Sequence, residues 1–286
     1  MKVTVIGLGL IGGSFAKDVR ELHPQAKLVG IDRSEAHVKE ALELGIIDEK
    51  GDGDSLVDAD VVFVAIPVNA LLGELPKILD RVGDDTVVLD TGSTKRLICE
   101  AVEAHPNRRN FMACHPIAGT EFSGPSAALA GLYQEKTMII CEVEKTAFKL
   151  QEKALALIQG MGMRIRYMNP VAHDRHIAYV SHLSHISSFM LGKTVIDKER
   201  NERDIFDMAG SGFESTVRLA KSSPDMWAPI FEQNRDNVVE TLEEYIQNLI
   251  DFKQMILDGE FEKVHKEMSN TNKIKQILKG IPHTKK

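Results

Sequence analysis

The sequence predicts an α/β fold in its first half and an all-α fold in its second. Three observations carry that expectation. Short β-branched runs alternate with helical patterns as far as about residue 168. A glycine-rich turn joins the first strand to the first helix, and strand signal disappears after Asn169-Pro170.

Taken in order, KVTVIG reads as a strand, IGGSFAKDVREL as a helix, AKLVGID as a strand and SEAHVKEALELG as a helix. DADVVFVAIP, NALLGELPKILD and DTVVLDTG continue the alternation. Strands and crossover helices of this length make a parallel sheet. NFMACHP, KTMIICE and RIRYMN add three strands, with a helix at 146–160 between the last two. The expected boundaries are an α/β domain over 1–168 and a helical domain over 169–286.

Composition narrows the class further. The chain has 286 residues, long enough for two medium domains, and its 43% hydrophobic and 27% charged residues support packed cores. A formal charge of −7 argues against a nucleic-acid binder, which needs a basic face. Cys99, Cys114 and Cys141 are too far apart in sequence for a metal pair or redox motif, and they suit reduced thiols in a cytoplasmic protein. No signal peptide is expected before the first strand, and no apolar run approaches the roughly 20 residues that span a bilayer.

The first strand runs into GLGLIGG, where Gly7, Gly9 and Gly12 satisfy G-x-G-x-x-G between a strand and a helix. Gly7 allows the tight turn, Gly9 clears the approach of a pyrophosphate to the backbone, and Gly12 lets the helix pack on the strand. The helix N-terminus then supplies amide donors and partial positive charge. Asp32 ends VGID, where its carboxylate can accept bonds from an adenosine ribose. This is the fingerprint of a Rossmann-type dinucleotide-binding domain. Leu10 and Ile11 within the loop, Arg33 after Asp32, and Pro67 at the end of VVFVAIP complete the expected cofactor site. Asp32 would repel the 2′-phosphate of NADP whereas Arg33 could neutralise it; because a strand-end side chain is fixed facing the ribose, NAD is the expected cofactor.

A dinucleotide site implies hydride transfer beyond the carboxyl ends of the strands. His115, in FMACHPIAGTEFSGP, is expected to end a parallel strand, locked by Pro116, with its ring in that crevice. With an ordinary pKa near 6.5 it could take a proton from a substrate hydroxyl. Ser93, in DTGSTK at another strand end, could bond the imidazole and orient it, or cap the next helix, or both.

The helical half contains HDRHIAYVSHLSH, with His173, His176, His182 and His185. At roughly 100° per residue the first pair and the second point to nearly opposite faces of one helix, so no metal site is expected. GSGFESTVRLAKSSPDMW places Arg218 near a helix start and Trp227 after a proline. The forked cation of Arg218 is what a carboxylate substrate requires. Val238, Leu242, Tyr245, Leu249, Phe252 and Ile256 form a seam of period 3.5, suited to a core helix or to a homodimer interface.

In order and approximate spacing, GLGLIGGS, DTGSTK, HPIAGTE, VSHLSH and GFESTVRLAKSSPDMW resemble the prephenate dehydrogenase family, including arogenate dehydrogenases, over nearly the whole chain. The resemblance implies NAD-dependent oxidative decarboxylation of prephenate to 4-hydroxyphenylpyruvate in tyrosine biosynthesis. It places the catalytic histidine at His115 and its orienting serine at Ser93. His185 falls on a substrate contact, Arg218 on the carboxylate anchor, and Glu121 and Trp227 on a gate around the substrate. The second half would bind substrate and form the homodimer. Ser184 stands where relatives commonly have proline, and Glu214 and Ser215 where many carry a basic residue and an aspartate.

Prephenate, which ends in a keto acid, is favoured because His185 could donate to that group. Arogenate, which ends in an amino acid, would gain from Glu214 if that carboxylate reaches the pocket. A β-hydroxyacid dehydrogenase would instead rely on a lysine in the helical half, and a nucleotide-sensing binding protein would have little need for His115, Ser93 and Arg218 together.

Overall fold

The computed structural model describes residues 1–200, 202 and 204–279. The elements begin with β1 (Lys2–Ile6), α1 (Leu10–Leu22), β2 (Lys27–Ile31), α2 (Glu35–Glu43) and β3 (Glu49–Lys50). They continue with β4 (Val61–Val64), α3 (Val68–Arg81), β5 (Val87–Asp90), α4 (Arg96–Ala101), β6 (Phe111–Ile117), β7 (Thr137–Cys141), α5 (Phe148–Gly160) and β8 (Arg164–Met168). The strands form one sheet in the order β3-β2-β1-β4-β5-β6-β7-β8. The order reverses between β1 and β4, which opens a crevice beyond their carboxyl ends.

Strand β4 is buried along its whole length, and its alternate residues face opposite ways. Val61 and Phe63 join one apolar cluster with Phe15 of α1 and Leu157 of α5, while Val62 and Val64 join another with Leu71 and Leu75 of α3. Two-sided burial explains why the strands read as continuous apolar runs.

The expectation of an all-parallel sheet needs one correction. β6 pairs with β7 antiparallel, with His115 opposite Ile139 and Pro116 opposite Met138. β6 therefore continues through Pro116 to Ile117, and His115 lies within the strand and not at its end. Proline is tolerated here because β5 pairs with β6 only as far as Met112, so one edge of the later residues carries no ladder.

After β8 the described residues are helical: α6 (Pro170–Ile177), a π turn (Ala178–His182), α7 (Leu183–Glu199), α8 (Ser211–Val217) and α9 (Pro224–Gln233), then α10 (Arg235–Leu257), α11 (Phe261–Thr271) and α12 (Ile274–Lys279). The Asn169 side chain accepts the Val171 amide at 2.9 Å, and Pro170 occupies the first helical position, so the Asn-Pro pair starts α6. Residues Met1–Asn234 form one compact unit, and the chain from Arg235 forms a second. Within the first, Trp227 and Ile230 of α9 join the apolar cluster under α3 and α4. In the second, Val238 of the expected seam is buried, while Leu249 and Ile256 are about half exposed in a single copy of the chain.

Candidate active site

The glycine loop between β1 and α1 has the close contacts its residues require. Gly7 has φ of +92°, and a Cβ there would lie 2.2 Å from the carbonyl oxygen of Ala65. A Cβ at Gly12 would lie 1.9 Å from the Gly7 carbonyl oxygen, whereas one at Gly9 would meet nothing within 4 Å. Gly9 is also the N-cap of α1 and offers no side-chain cap. Leu10 and Ile11 form the first turn of α1, and the exposed Pro67 directly precedes α3 at the carboxyl end of β4. Asp32 follows β2; its carboxylate accepts the Leu8 amide on one oxygen and the Ser34 amide on the other, both at 2.8 Å. Arg33 is exposed.

His115 sits at the same carboxyl edge of the sheet, held by a fully buried ion pair that the sequence did not advertise. Asp90, the last residue of β5, pairs with Lys95, and both side chains are completely buried. Asp90 Oδ1 accepts the Cys114 amide at 2.8 Å, and Lys95 Nζ donates to the Cys114 carbonyl at 2.7 Å. Both backbone polar groups next to His115 are thus satisfied by side chains from the β5–α4 loop.

The ring of His115 does not use Ser93. Its Nδ1 lies 2.8 Å from Nε2 of His173, whose Nδ1 lies 2.8 Å from Oδ1 of Asp174. Ser93 is half-buried and makes no hydrogen bond to His115, so the expected orienting bond is replaced by one from α6. Nor does Ser93 cap α4. Its N-cap is Lys95, and the Asp174 carboxylate accepts the amides of Lys95 at 2.7 Å and Arg96 at 2.9 Å. Three N–H groups converge on Asp174, and its own carbonyl accepts Nδ2 of Asn234 at 2.7 Å.

Protonation follows from these partners. Burial pushes the pKa of His115 well below its ordinary value near 6.5, and nearby His173, Lys95 and His182 push it further down. His173 is also lowered, chiefly by burial, with Asp174 opposing. Both rings are neutral at pH 7. Because an ionised carboxylate only accepts, His173 must donate from Nδ1 and accept on Nε2. His115 then donates from Nδ1 and keeps a lone pair on Nε2.

The remaining histidines depart from the expected geometry. The π turn advances less per residue than the roughly 100° of an α-helix, so His173 and His182 do not face opposite ways. Both are buried, while His176 is exposed. His182 Nδ1 lies 3.2 Å from Nδ2 of Asn234, an amide donor, so its proton is on Nε2. That Nε2, Trp227 Nε1 and Gln233 Nε2 are buried donors without an acceptor among the described residues.

His185 stacks on Trp227 with ring centroids 3.5 Å apart, and its Nδ1 donates to the Ser181 carbonyl at 2.9 Å. Burial lowers its pKa, so neutral His185 presents Nε2 as an acceptor. The expected donation from His185 to a keto acid is therefore not available in this arrangement. Arg218 begins the 3-10 turn that follows α8 and does not start a long helix. It is half-exposed, with Nη1 3.7 Å from Oε2 of Glu121. Glu214 and Ser215 are exposed on α8. Ser184 donates to the Val180 carbonyl at 3.2 Å, one turn back in the helix where a proline would stand in relatives.

A glycine loop and a neutral histidine at one edge of a doubly wound sheet, followed by a helical half, define a dinucleotide-binding oxidoreductase. The nucleotide-binding domain of prephenate dehydrogenase matches residues 15–167, and its dimerization domain matches residues 169–270. A prephenate dehydrogenase of Bacillus subtilis is 30% identical over 99% of this chain and 77% of its own length. A cyclohexadienyl dehydrogenase of Zymomonas mobilis is 27% identical over 97% and 96%. Among solved structures, Aquifex aeolicus prephenate dehydrogenase in complex with hydroxyphenyl propionate and NAD+ superposes with a TM-score of 0.85 at 32% identity, covering 97% of this chain and 98% of its own. Synechocystis arogenate dehydrogenase gives 0.78 at 27% identity, covering 97% and 100%. The chain belongs to the prephenate dehydrogenase family.

His182 makes stability pH-dependent. Burial lowers its pKa to about 4, with His173 and His185 adding to the drop and Asp174 opposing it. The unfolded chain binds a proton near pH 6.5 that the native state refuses, so native stability is full above pH 6.5 and falls as pH drops toward 4. At about 1.4 kcal/mol per tenfold in proton affinity, the loss from this group approaches roughly 3 kcal/mol. Urea midpoints measured at pH 7 and 4.5 should differ accordingly, and less so in His182→Gln; equal midpoints for wild type would refute the burial argument.

Proposed function

We propose that the chain catalyses NAD-dependent oxidative decarboxylation of prephenate to 4-hydroxyphenylpyruvate, a step of tyrosine biosynthesis. The observation that carries the chemistry is a buried, neutral His115 with Nδ1 engaged and Nε2 free among the described residues. Support for prephenate comes from the prephenate dehydrogenases at 30% and 32% identity. Arogenate is the second reading, favoured by His185, whose Nε2 accepts and would suit an ammonium group. Assaying reduced-cofactor formation with prephenate and arogenate in parallel separates the two.

The glycine loop fits NAD, because Gly9 leaves its approach open and α1 has no side-chain cap competing for its first amides. Gly7, Gly9, Leu10, Ile11 and Gly12 would hold the pyrophosphate, with Asp32 and Arg33 at the ribose and Pro67 along the crevice. NAD, when bound, supplies the acceptor for the hydride lost from C4. His115 Nε2 takes the hydroxyl proton as that happens and returns it to the phenolic oxygen once CO2 has left, so no proton is consumed overall. Arg218 anchors a substrate carboxylate, and the buried donors on His182, Trp227 and Gln233 suit an oxygen-rich ligand. Glu121, whose Oε2 lies 3.7 Å from Arg218 Nη1, would gate the approach to that anchor. Half-buried in the turn after β5, Ser93 would line the crevice without bonding the base.

Substrate binding and pairing of two copies are assigned to residues 169–286, and nucleotide binding to 1–168. A homodimer is supported by the match to a dimerization domain and by the exposed Leu249, Ile256 and Phe261. A cytoplasmic location is supported by three buried cysteines without disulfides. None of the described helices is long and apolar enough to cross a membrane.

His115→Asn should lower kcat by roughly a hundredfold or more while leaving NAD affinity nearly intact, and near-normal turnover would remove His115 from the chemistry. In wild type, burial should carry the acid limb of kcat/KM below the ordinary histidine value near 6.5. Arg218→Ala should raise KM by one to three orders of magnitude, since a charge-assisted bond is worth roughly 1.5–3 kcal/mol and a bidentate pair more; an unchanged KM would return Arg218 to the surface. Sedimentation at micromolar concentration should give the mass of two copies, and a monomer would contradict the dimer. For cofactor choice, kcat/KM should favour NAD over NADP by at least about tenfold. That preference should narrow or reverse in Asp32→Ser, and equal use of both cofactors by wild type would give the site to Arg33.

A further inference from the structure

We propose that His173 and Asp174 are positioning residues that fix the tautomer of His115, and that they, not Ser93, make its Nε2 the proton-accepting nitrogen. This rests on His115 being the base. A neutral imidazole carries its proton on either nitrogen, and only the form protonated on Nδ1 has a lone pair on Nε2. The choice is made three groups away. Asp174 is tied to the backbone amides of Lys95 and Arg96 at 2.7 and 2.9 Å, which keeps its carboxylate an acceptor. That forces His173 to donate from Nδ1, which leaves Nε2 of His173 to accept from His115.

The arrangement also serves the charged state. When His115 holds the substrate proton on Nε2, its Nδ1–H bond to His173 strengthens, and Asp174 faces the new positive charge through the second ring. No proton need leave His115, which must return the one it took. All three side chains are almost fully buried, so water cannot substitute for a missing partner.

The test uses the whole chain with nitrogen-15 in its histidines. In wild type at pH 7.5, the spectrum should show His115 protonated on Nδ1 and bare on Nε2; a proton on Nε2 overturns the proposal without any substitution. His173→Phe removes the acceptor. It should lower kcat by about a hundredfold or more, leave KM and NAD affinity within about threefold, and move the His115 proton toward Nε2. His173→Gln restores an acceptor, and should recover most of the lost kcat together with the Nδ1–H form. If His115 stays protonated on Nδ1 in His173→Phe, or if both variants lose activity equally, the relay is not what orients it. Normal turnover in His115→Asn would instead defeat the assignment of the base while leaving the tautomer result intact.

Discussion

The buried pair between Asp90 and Lys95 is the constraint on which the site depends. β5 pairs with β6 for only two residues, Val88 opposite Phe111 and Leu89 opposite Met112. Beyond that point the two strands no longer satisfy each other, and a backbone amide or carbonyl left bare in this interior would cost about 1–3 kcal/mol. Asp90 and Lys95 fill both roles at Cys114, accepting its N–H and donating to its C=O. The ladder can therefore end early without orphaned groups, while β6 continues, paired on its other side with β7. The gap created at the carboxyl edge is where the proposed base stands. Removing either partner would strand a charge in a fully buried place, a far larger penalty than loss of an exposed pair.

Asp174 extends that constraint into the helical half. Its carboxylate takes the amides of Lys95 and Arg96, so the residue that pairs with Asp90 through its side chain is fixed through its backbone by α6. Its carbonyl takes Asn234, which also bonds His182. One aspartate thus ties the N-terminus of α4, the His173 ring and the end of α9 together. This explains why the compact unit reaches Asn234 although strand signal ends near residue 168. It also explains why α4, only six residues long, holds without a local cap.

What the sequence made legible is mostly what is encoded within a few dozen residues. The glycine loop, Asp32 after the second strand, the alternation to β8 and the change to helix after Asn169-Pro170 are short-range patterns, and each stands where the sequence pattern put it. The parts that were not legible are long-range. Asp174 meets its two amide partners across 79 and 78 residues, and no periodicity links those positions. Thr94 and Gln233 are 139 residues apart. The antiparallel β6–β7 pair is not legible because apolar runs with β-branched residues read alike in either direction. The π turn is not legible because a helical wheel assumes one angular step throughout. A buried His-Asp pair directly after a helix start was the available signal for His173, since charged residues in an otherwise apolar setting are seldom placed there without partners.

The same burial that hid these contacts decides how the site's histidines behave. Four of them, His115, His173, His182 and His185, have pKa values lowered chiefly by burial. Neutral rings are directional, because each nitrogen must be either a donor or an acceptor, and the protein settles every one by what it offers the other nitrogen. Asp174 settles His173, His173 settles His115, Asn234 settles His182, and the Ser181 carbonyl settles His185. Among the described residues, the outcome is two rings with a free acceptor, His115 and His185, and one with a free donor, His182. Charged imidazoliums would all be donors and could not be told apart by a ligand. Keeping the rings neutral lets a cluster of identical residues present distinct chemistry, with a lone pair where a hydroxyl proton must go and a donor where an oxygen must be held.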